Sequence, residues 1–387
     1  MASILSAGTT SATAMVHTAD TSGVLQLATN NGTAALTLDT AQNATFAGYA
    51  NMPNTFGFKN RIINGAMVIN QRALGTVTIP ATTDTYTLDR WKCYASQASK
   101  YTVQQSSTAP TGFINSALIT SSSAYSVGAG EEFDFIQVVE GLNCTDLAWG
   151  TASAKTVTLS AWVYSSLTGT FGGSLRNSAA NRSYPFSYTI PVANTWTNIS
   201  VIIAGDTSGT WLTTSGAGIY VNFSMGAGSS MSNTAGAWVA GNYTSATGAT
   251  SVVGTNGATF YITGVQLEKG STATSFDYRP YGTELQLCQR YYEKFSAQIA
   301  PSAYVSVRTG AFYGYVGWQV PKRTGPTITL NGTFNFAGSL GDINGVTPGA
   351  FDTQTVSNSR FYLNSGTYSP QSAYVYINTS LEISSEL

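Results

Sequence analysis

Charge is what this sequence has least of. Of its 387 residues, 17 are Lys or Arg and 18 are Asp or Glu, which gives a net charge of −1 and a charged fraction of 9%. An average soluble domain is about 25% charged. So few and scattered basic residues cannot form the dense patch that neutralises nucleic-acid phosphates, which excludes nucleic-acid binding. The 43% hydrophobic content still supplies a large core, and the length predicts two or three domains.

Histidine and cysteine are also scarce. The single histidine, His17, stands in a segment of small residues that cannot build a pocket, so no histidine-based catalytic site and no metal site is expected. The three cysteines are Cys93, Cys144 and Cys288. Their odd number and wide spacing predict buried free thiols in a reducing cytoplasm instead of disulfides. No glycine-rich phosphate loop joins a strand to a helix, and no cofactor is expected.

Long hydrophobic runs are absent as well. No stretch of 18 apolar residues occurs, so the sequence predicts no transmembrane helix and no membrane insertion. The first residues, MASILS, lack the basic and apolar regions of a signal peptide. We therefore expect a protein that does not leave a cell by ordinary secretion.

What the sequence does have is an aromatic content of 12%, with 22 Tyr, which together with Thr and Val favours β-structure. Between residues 59 and 281, runs with a period of two recur, among them residues 133–139, 156–164 and 259–267. Turn residues separate these runs, and no parallel-sheet pattern is present. The sequence therefore predicts an all-β chain whose main domain, residues 59–281, is a jelly-roll-like sandwich of two antiparallel sheets.

One helix is predicted, over residues 283–297. Thr283 is the candidate N-cap, and Gln286 completes a capping box three residues later. The apolar stripe of this helix serves either as an oligomer seam or as a contact with the sandwich of the same chain. The residues of this stripe are Leu285, Cys288, Tyr292 and Phe295.

The helix is predicted to form a linking segment, residues 282–298. A small C-terminal β-domain follows at residues 299–387.

The N-terminal segment, residues 1–58, contains no Lys or Arg. Alternating residues 23–27 and 34–39, on either side of Asn30-Asn31-Gly32, predict two or three short strands that cannot form a core alone. The segment is therefore either a β-rich attachment stalk or a flexible linker. Three copies wound together would bury its apolar side chains, which predicts a homotrimer. Those side chains are Val24, Leu25, Leu27, Leu36 and Leu38.

Paired carboxylates are the one catalytic arrangement that this composition supports. Glycoside hydrolysis uses two carboxyl groups about 5–10 Å apart. The other interpretation is that each acid is solvated at a turn or pairs with Arg90, Arg279 or Arg290. Because acids are usually of this second kind, we expect no catalytic residues. The candidates are Glu131, Glu132, Asp134, Glu140, Glu268 and Asp277.

A candidate binding site lies in a predicted long loop, residues 224–257, which is rich in Gly, Ser, Ala and Thr. Long ordered loops on a rigid sandwich often carry function. Trp238 and Tyr243 are large residues within this loop, and Trp211 stands on a neighbouring turn. The three form either a platform on which a sugar ring stacks or anchors that hold the loop against the sandwich.

Two sets of segments resemble a known family. The first set is residues 58–72 (FKNRIINGAMVINQR) and 86–91 (YTLDRW). The second set is residues 265–270 (VQLEKG), 276–282 (FDYRPYG), 284–285 (EL) and 287–294 (LCQRYYEK). In these segments the chain resembles tail-fibre and receptor-binding proteins of tailed bacteriophages, especially those of marine bacteria and cyanobacteria. In that family such motifs frame a sandwich that resembles a carbohydrate-binding module. Residues 34–39 and 44–48 also look like the repeats of phage fibre stalks.

The resemblance implies a homotrimeric, non-enzymatic tail fibre, made in the host cytoplasm and built into the virion. Its N-terminal segment would join other phage tail proteins, and the fibre would adsorb to host surface polysaccharide. Two alternatives stay open, namely a structural virion adaptor without receptor binding and a polysaccharide depolymerase that uses paired carboxylates.

The matched motifs frame the sandwich and are not its binding site, so the resemblance does not identify any binding residues in this chain. Their own chemistry gives two structural expectations. A Glu268–Arg279 ion pair would fix the turn that leads into the helix. Trp91 and Tyr281 are large enough to fill the end of the sandwich.

Overall fold

The protein is described by a computed structural model in two compact units, Met1–Thr55 and Phe56–Leu387. The structure describes residues 3–6, 16–18, 21–29, 33–41, 44–46, 58–296, 306–308, 311–331, 334–338, 343–346, 350–354, 356–364, 373–377 and 380–387. The predicted turn at Asn30-Asn31-Gly32 lies outside these residues.

The first unit contains one five-stranded sheet. Its strands are β1 (Ser3–Ser6), β2 (Val16–Thr18), β3 (Leu25–Thr29), β4 (Thr33–Leu38) and β5 (Ala44–Phe46). The order is β2-β1-β3-β4-β5, with β1 and β3 parallel and the other neighbours antiparallel. The two alternating runs noted in the sequence, residues 23–27 and 34–39, overlap β3 and β4. Leu25 and Leu27 on β3 remain 43% and 39% exposed, so this unit carries apolar side chains on its surface.

The second unit begins with a two-sheet sandwich. Its strands are β6 (Val77–Thr78), β7 (Thr85–Leu88), β8 (Trp91–Ala95), β9 (Tyr101–Ser106), β10 (Ser116–Ser121), β11 (Glu132–Glu140), β12 (Val157–Ser165), β13 (Gly169–Arg176), β14 (Arg182–Ile190), β15 (Thr197–Ile203), β16 (Ala217–Ala227), β17 (Ser232–Asn233), β18 (Val239–Ala240), β19 (Ser245–Ala246) and β20 (Thr259–Lys269). One sheet has six strands in the order β15-β12-β20-β10-β9-β6, and the other has seven in the order β18-β14-β13-β16-β11-β8-β7. The remaining two strands, β17 and β19, pair with each other in a separate two-stranded parallel sheet. This arrangement confirms the predicted all-β, jelly-roll-like sandwich.

Alternation along the strands places the core between the two sheets. On β12, Leu159, Ala161 and Val163 are fully buried, whereas Trp162 and Tyr164 are partly exposed. Successive side chains of a strand point to opposite faces, so the first three face the opposing sheet and the two aromatic residues face outwards. The predicted loop begins later than expected, because residues 224–227 still belong to β16.

The two family-like motifs contact each other at one end of the sandwich. Asn60 Oδ1 accepts hydrogen bonds from the backbone N–H groups of Ile62 (2.9 Å) and Leu267 (3.0 Å), and Asn60 Nδ2 donates to the Val265 carbonyl (3.0 Å). Gly65 lies so close to the same strand that a Cβ on it would stand 2.2 Å from the Val265 oxygen. The first motif is thus fastened to the second, and both have the structural role that was expected of a frame.

Replacing Gly65 by alanine tests this close approach. Gly65→Ala is expected to lower the free energy of unfolding by about 1–3 kcal/mol, because the backbone must move to accommodate the methyl group. Urea denaturation measures the change. Gly75→Ala is the matched control, since a Cβ on Gly75 meets nothing within 4 Å and should leave stability nearly unchanged. Equal effects of the two substitutions would contradict the close packing.

Of the two aromatic residues expected to fill the end of the sandwich, only Trp91 does so. Trp91 is fully buried, its ring stacks on Phe135 with centroids 4.7 Å apart, and its indole N–H donates to the Asn64 carbonyl at 3.0 Å. Tyr281 is 63% exposed, so that prediction is wrong for Tyr281. The reason is its place as the first residue of a helix whose other side packs on the sandwich.

The expected Glu268–Arg279 ion pair is also wrong. The chain folds back over Glu268, whose carboxylate accepts hydrogen bonds from the backbone N–H and the hydroxyl of Thr274 at 2.8 and 2.7 Å. Arg279 instead lies 3.7 Å from Asp277 and 3.2 Å from Glu284. Two nearer acids therefore neutralise the guanidinium.

A short helix and further strands follow the sandwich. They are α1 (Tyr281–Gln289), β21 (Tyr292–Ser296), β22 (Ser306–Arg308), β23 (Ala311–Gly317), β24 (Thr327–Asn331), β25 (Phe334–Gly338), β26 (Ile343–Val346), β27 (Ala350–Gln354), β28 (Asn358–Asn364), β29 (Ala373–Ile377) and β30 (Ser380–Ser384). They form sheets in the orders β21-β30-β24, β22-β23-β28-β27 and β26-β25-β29. The division of residues 59–387 into a sandwich, a linking helix (282–298) and a C-terminal β-domain (299–387) stays a prediction.

The predicted helix over residues 283–297 is wrong at both ends. It begins two residues earlier, with Pro280 at the N-cap and no side-chain cap, so Thr283 does not act as the cap. Beyond Gln289 the chain becomes β21, because residues 292–296 pair with β30, a partner far along the chain. Leu285 and Cys288 do pack on the same chain, in a small cluster with Ile63, Ile69 and Tyr291.

Candidate functional site

Two of the three predicted site residues, Trp211 and Trp238, lie together, and Trp149 completes a cluster of three indoles. Their ring centroids are 4.8 Å (Trp149–Trp211), 5.3 Å (Trp149–Trp238) and 5.3 Å (Trp211–Trp238) apart, with the rings nearly perpendicular. Tyr184 of β14 adds a further edge-to-face contact to Trp238 at 5.3 Å. We call Trp149, Trp211 and Trp238 the tryptophan cluster. Trp149 was not found from the sequence, because it lies outside every alternating run.

The hydrogen bonds of the tryptophan cluster favour anchors over a platform. The Trp238 indole N–H donates to the Ala204 carbonyl at 2.7 Å, and the Trp211 indole N–H lies 3.2 Å from Asp206 Oδ2. Both side chains also pack against the main core. A residue that uses its N–H and its ring edges within its own chain holds a loop in place.

Tyr243 stands apart from this cluster. Its backbone N–H donates to Ser183 Oγ at 3.0 Å, and no ring contact joins it to Trp211 or Trp238 in the described part of the chain. A single shared platform made of these three residues is therefore not formed. A glycan contact by Trp211, Trp238 or Tyr243 individually stays a prediction.

A second aromatic group, which the sequence analysis did not single out, covers the outer side of the six-stranded sheet. We call Trp162, Tyr164, Trp196 and Tyr261 the aromatic face. The centroid distances are 5.0 Å for Tyr164–Tyr261, 5.5 Å for Tyr164–Trp196 and 6.2 Å for Trp196–Tyr261. All four side chains are partly exposed. Within the described residues, the indole N–H groups of Trp162 and Trp196 have no hydrogen-bond partner, so both can donate to a ligand.

The strand positions around the aromatic face carry no charge. Strand pairing places neutral side chains beside the four rings, on the strands that flank β12 and β20. A sugar offers apolar C–H faces that stack on aromatic rings and hydroxyl groups that pair with amides, hydroxyls and indole N–H groups. The surface therefore suits a neutral ligand rich in hydroxyl groups. The neutral neighbours are Thr102, Gln104, Leu118, Thr120, Asn198 and Ser200.

One half of the aromatic face could have been found from the sequence. In the run 156–164 the inward positions are already apolar, so a period of two places Trp162 and Tyr164 on the outward side. Trp196 and Tyr261 reach them only because β12 pairs with both β15 and β20. No local pattern specifies that pairing.

Most of the candidate catalytic carboxylates have structural partners. Glu140 forms a two-point contact with Arg290, at 2.6 and 2.9 Å, as the sequence allowed. Although burial opposes it, hydrogen bonds from Arg290 and Tyr291 hold the pKa of Glu140 below its ordinary value. Glu131 accepts hydrogen bonds from the Tyr125 hydroxyl at 2.9 Å and from the Gly128 backbone at 2.7 Å. These acids stabilise turns and strand ends.

Glu132 and Asp134 are two candidate acids that lie on the same strand, β11. Asp134 is fully buried and accepts a hydrogen bond from Asn222 Nδ2 at 2.9 Å. Burial, and then the negative charge of Glu132, raise the pKa of Asp134 well above its ordinary value. Glycoside hydrolysis needs two carboxyl groups that both reach the sugar. Because Asp134 is fully buried, a polysaccharide cannot reach it, and the arrangement does not favour a hydrolytic pair.

The raised pKa of Asp134 predicts how stability changes with pH. Above about pH 4 the unfolded chain has lost this proton while the native state still holds it, so stability falls as the pH rises towards the native pKa. Asp134→Asn removes the effect. Its melting temperature, measured by calorimetry across that pH range, should exceed that of the wild type by a margin that widens with pH. A constant margin would show that Asp134 is already ionised in the native state.

Other reactive groups add no second site. Cys93, Cys144 and Cys288 are buried free thiols, as predicted, and burial raises the pKa of Cys93 and of Cys144 to about 12. Within the described residues, no group of three or more His, Cys, Asp and Glu side chains is placed to hold a metal ion. Among the same residues, no helix has the length and apolar character needed to cross a membrane.

Comparison with known proteins gives only weak likenesses. No protein-family model matches the sequence, and no curated protein matches it. A solved structure of the enzymatically active domain of bacteriophage CBA120 tailspike protein 4 is 14% identical, with a TM-score of 0.29, over 55% of this chain and 22% of that one. The chain thus spans about a fifth of that tailspike structure.

Two carbohydrate-binding modules are similar to the same degree. The module TmCBM61, solved with β-1,4-galactotriose, is 10% identical with a TM-score of 0.28, over 55% of this chain and all of that one (100%). The family 11 module of Clostridium thermocellum is 10% identical with a TM-score of 0.26, over 53% of this chain and 99% of that one. At TM-scores this low, the similarities do not indicate what this chain binds.

Proposed function

We propose that the chain is a non-enzymatic glycan-binding protein of a phage tail fibre, which attaches the virion to a neutral polysaccharide on the host surface. The observation that carries this proposal is the aromatic face. Its four rings stand partly exposed among neutral strand positions, and within the described residues the indole N–H groups of two of these rings have no hydrogen-bond partner. Such a surface binds sugars by ring stacking and hydrogen bonding and gives no advantage to a charged ligand.

The state of the carboxylates supports binding without cleavage. Glu140 is paired with Arg290, Glu268 accepts hydrogen bonds from Thr274, and Asp134 is fully buried. Each of these three groups is thus held by its own chain or shielded from solvent, whereas a glycosidase presents two carboxyl groups to a bound sugar. The polysaccharide depolymerase is therefore the less favoured alternative.

The N-terminal unit supports assembly into a fibre. Leu25 and Leu27 are exposed on a unit that has its own sheet, and winding with two further copies would remove them from water. We propose a homotrimer whose residues 1–58 join other tail proteins, so that the sandwich is presented by the virion tail. A purely structural adaptor would also use the N-terminal unit for assembly, but the aromatic face would then have no role.

A glycan array combined with a reducing-end assay tests the proposed function. The full-length protein is expected to bind neutral polysaccharides from host cells, to bind sulfated or uronate-rich ones weakly, and to release no reducing ends. Release of reducing ends would support the depolymerase. Failure to bind any host polysaccharide, with the protein folded by circular dichroism, would support the structural adaptor and contradict the proposal.

A further inference from the structure

A cleft opens at the end of the sandwich where the two family-like motifs meet. Its volume is about 290 Å³, close to the lower limit of roughly 300 Å³ for ligand pockets. One wall comes from the loop between β9 and β10, and the other comes from residues 276–279 and the start of α1. The motifs were expected to be frame only, so this cleft is not explained by their structural role.

The walls of the cleft are aromatic and held in place. Phe113 packs on Phe276 at 5.1 Å, and Phe276 packs on Tyr278 at 4.9 Å, both edge to face. The Tyr278 hydroxyl donates to the Gly112 carbonyl at 2.8 Å. Even so, Tyr278 and Tyr281 are 60% and 63% exposed. The Tyr278 ring, fixed by these contacts and yet exposed, offers stacking surface without a large entropic cost on binding, and Tyr281 adds a second exposed ring to the lining of the cleft.

The polar side of the cleft is a small charged group. The Arg279 side chain is only 4% exposed and lies 3.2 Å from Glu284, and it also donates to the Ile62 carbonyl at 3.2 Å. Asp277 Oδ2 accepts from the Asn60 backbone N–H, whereas Asp277 Oδ1 accepts no hydrogen bond within the described residues. One guanidinium and two carboxylates leave a net charge of −1. The cleft therefore favours hydroxyl donors and disfavours anions.

The cleft is continuous with the aromatic face. A Cβ placed on Gly264 would stand 2.7 Å from Phe113 Cζ and 3.1 Å from Trp162 Cδ1, so the rings of Phe113 and Trp162 both lie against this glycine. Phe113 lines the cleft, and Trp162 belongs to the aromatic face. An extended ligand can pass from one to the other without crossing a charged surface.

We infer that the cleft binds a terminal neutral sugar residue of the same polysaccharide chain that lies along the aromatic face. This inference rests on the proposed function and adds to it a subsite that recognises the chain end. The ring of the terminal sugar stacks on Tyr281 and Tyr278, and a hydroxyl group donates to Asp277 Oδ1. The size of the cleft limits it to one or two sugar rings, in contrast to the open aromatic face.

Binding of neutral oligosaccharides of two lengths tests the inference. The probes are a disaccharide fraction and a long-chain fraction from mild acid hydrolysis of the host polysaccharide, titrated into the full-length protein by calorimetry. Tyr281→Ala should weaken binding of the disaccharide by about tenfold or more, and Tyr281→Phe should retain it. Tyr164→Ala, on the aromatic face, should weaken the long-chain fraction and leave disaccharide affinity unchanged.

The outcomes separate the two proposals. In the first outcome, Tyr164→Ala weakens binding of the long-chain fraction, but the disaccharide either does not bind or binds Tyr281→Ala as tightly as the wild type. The cleft is then not a subsite, and the proposed function stands. In the second outcome, Tyr281→Ala weakens binding of the disaccharide, but Tyr164→Ala leaves binding of the long-chain fraction unchanged, so the cleft is a site and the aromatic face is not. If neither fraction binds the folded wild type, both proposals fail.

Discussion

Glu386→Ala is expected to lower the free energy of unfolding by about 3–5 kcal/mol, because it leaves a buried guanidinium unpaired. The Arg90 side chain is 1% exposed, and Glu386 forms an ion pair with it and with Arg72 at 3.2 Å. Arg90 also lies over the Tyr291 ring, with its Cζ 3.5 Å from the ring centroid. Arg90 belongs to the first family-like motif and Tyr291 to the second. The ion pair between Glu386 and Arg90 therefore stabilises the contact between the two motifs.

The matched control is Glu382→Ala. Glu382 pairs with Lys294 at 3.4 Å, and each side chain is about a quarter exposed, so its loss should cost less than about 1 kcal/mol. Urea denaturation of both variants and the wild type measures the difference. If the two substitutions destabilise the protein equally, the buried ion pairs around Arg90 contribute no more to stability than the partly exposed pair of Glu382 and Lys294.

Trp238→Ala is expected to lower the free energy of unfolding by about 3 kcal/mol, because the side chain is partly buried among aromatic rings. It would lose ring contacts at 5.3 Å to Trp149, Trp211 and Tyr184 and the hydrogen bond to Ala204. These contacts hold the loop after β16 to the sandwich. The loss should therefore appear both in the melting temperature and in faster proteolysis of that loop.

Trp196→Ala serves as the comparison for Trp238→Ala. Trp196 belongs to the aromatic face, and its indole N–H has no hydrogen-bond partner within the described residues, so a smaller loss of stability is expected. If Trp238→Ala melts like the wild type and yet weakens adsorption to host cells, Trp238 is a platform residue, and the anchor role that its contacts indicate is wrong.

The strands and the sandwich could be predicted because their signal is local. The run containing Leu159, Ala161 and Val163 alternates with polar or aromatic residues, and a period of two is enough to place it in a half-buried strand. The buried thiols followed from composition in the same way. The end of α1 could not be predicted, since Tyr292 and Phe295 suit either a helix stripe or a strand, and pairing with β30 decides between them.

The aromatic face and the cleft were missed for a related reason. Tyr164 and Tyr261 are 97 positions apart in the sequence, and only the β12–β20 pairing places them opposite each other. The cleft likewise joins Phe113 to Tyr278 and Tyr281 across the end of the sandwich. Conversely, Trp238 and Tyr243 are close in sequence and look like one site, but in the described part of the chain only Trp238 joins the tryptophan cluster. Tertiary pairing, rather than local composition, builds these surfaces.

The central claim is that the aromatic face binds glycan, and affinity for host polysaccharide measured by calorimetry tests it most directly. The double variant Tyr164→Ala/Trp196→Ala should bind at least about tenfold more weakly than the wild type. Tyr94→Ala is the matched control, a partly exposed tyrosine on the seven-stranded sheet, and it should bind like the wild type. Unchanged affinity in the folded double variant, or an equal loss in Tyr94→Ala, would contradict the claim.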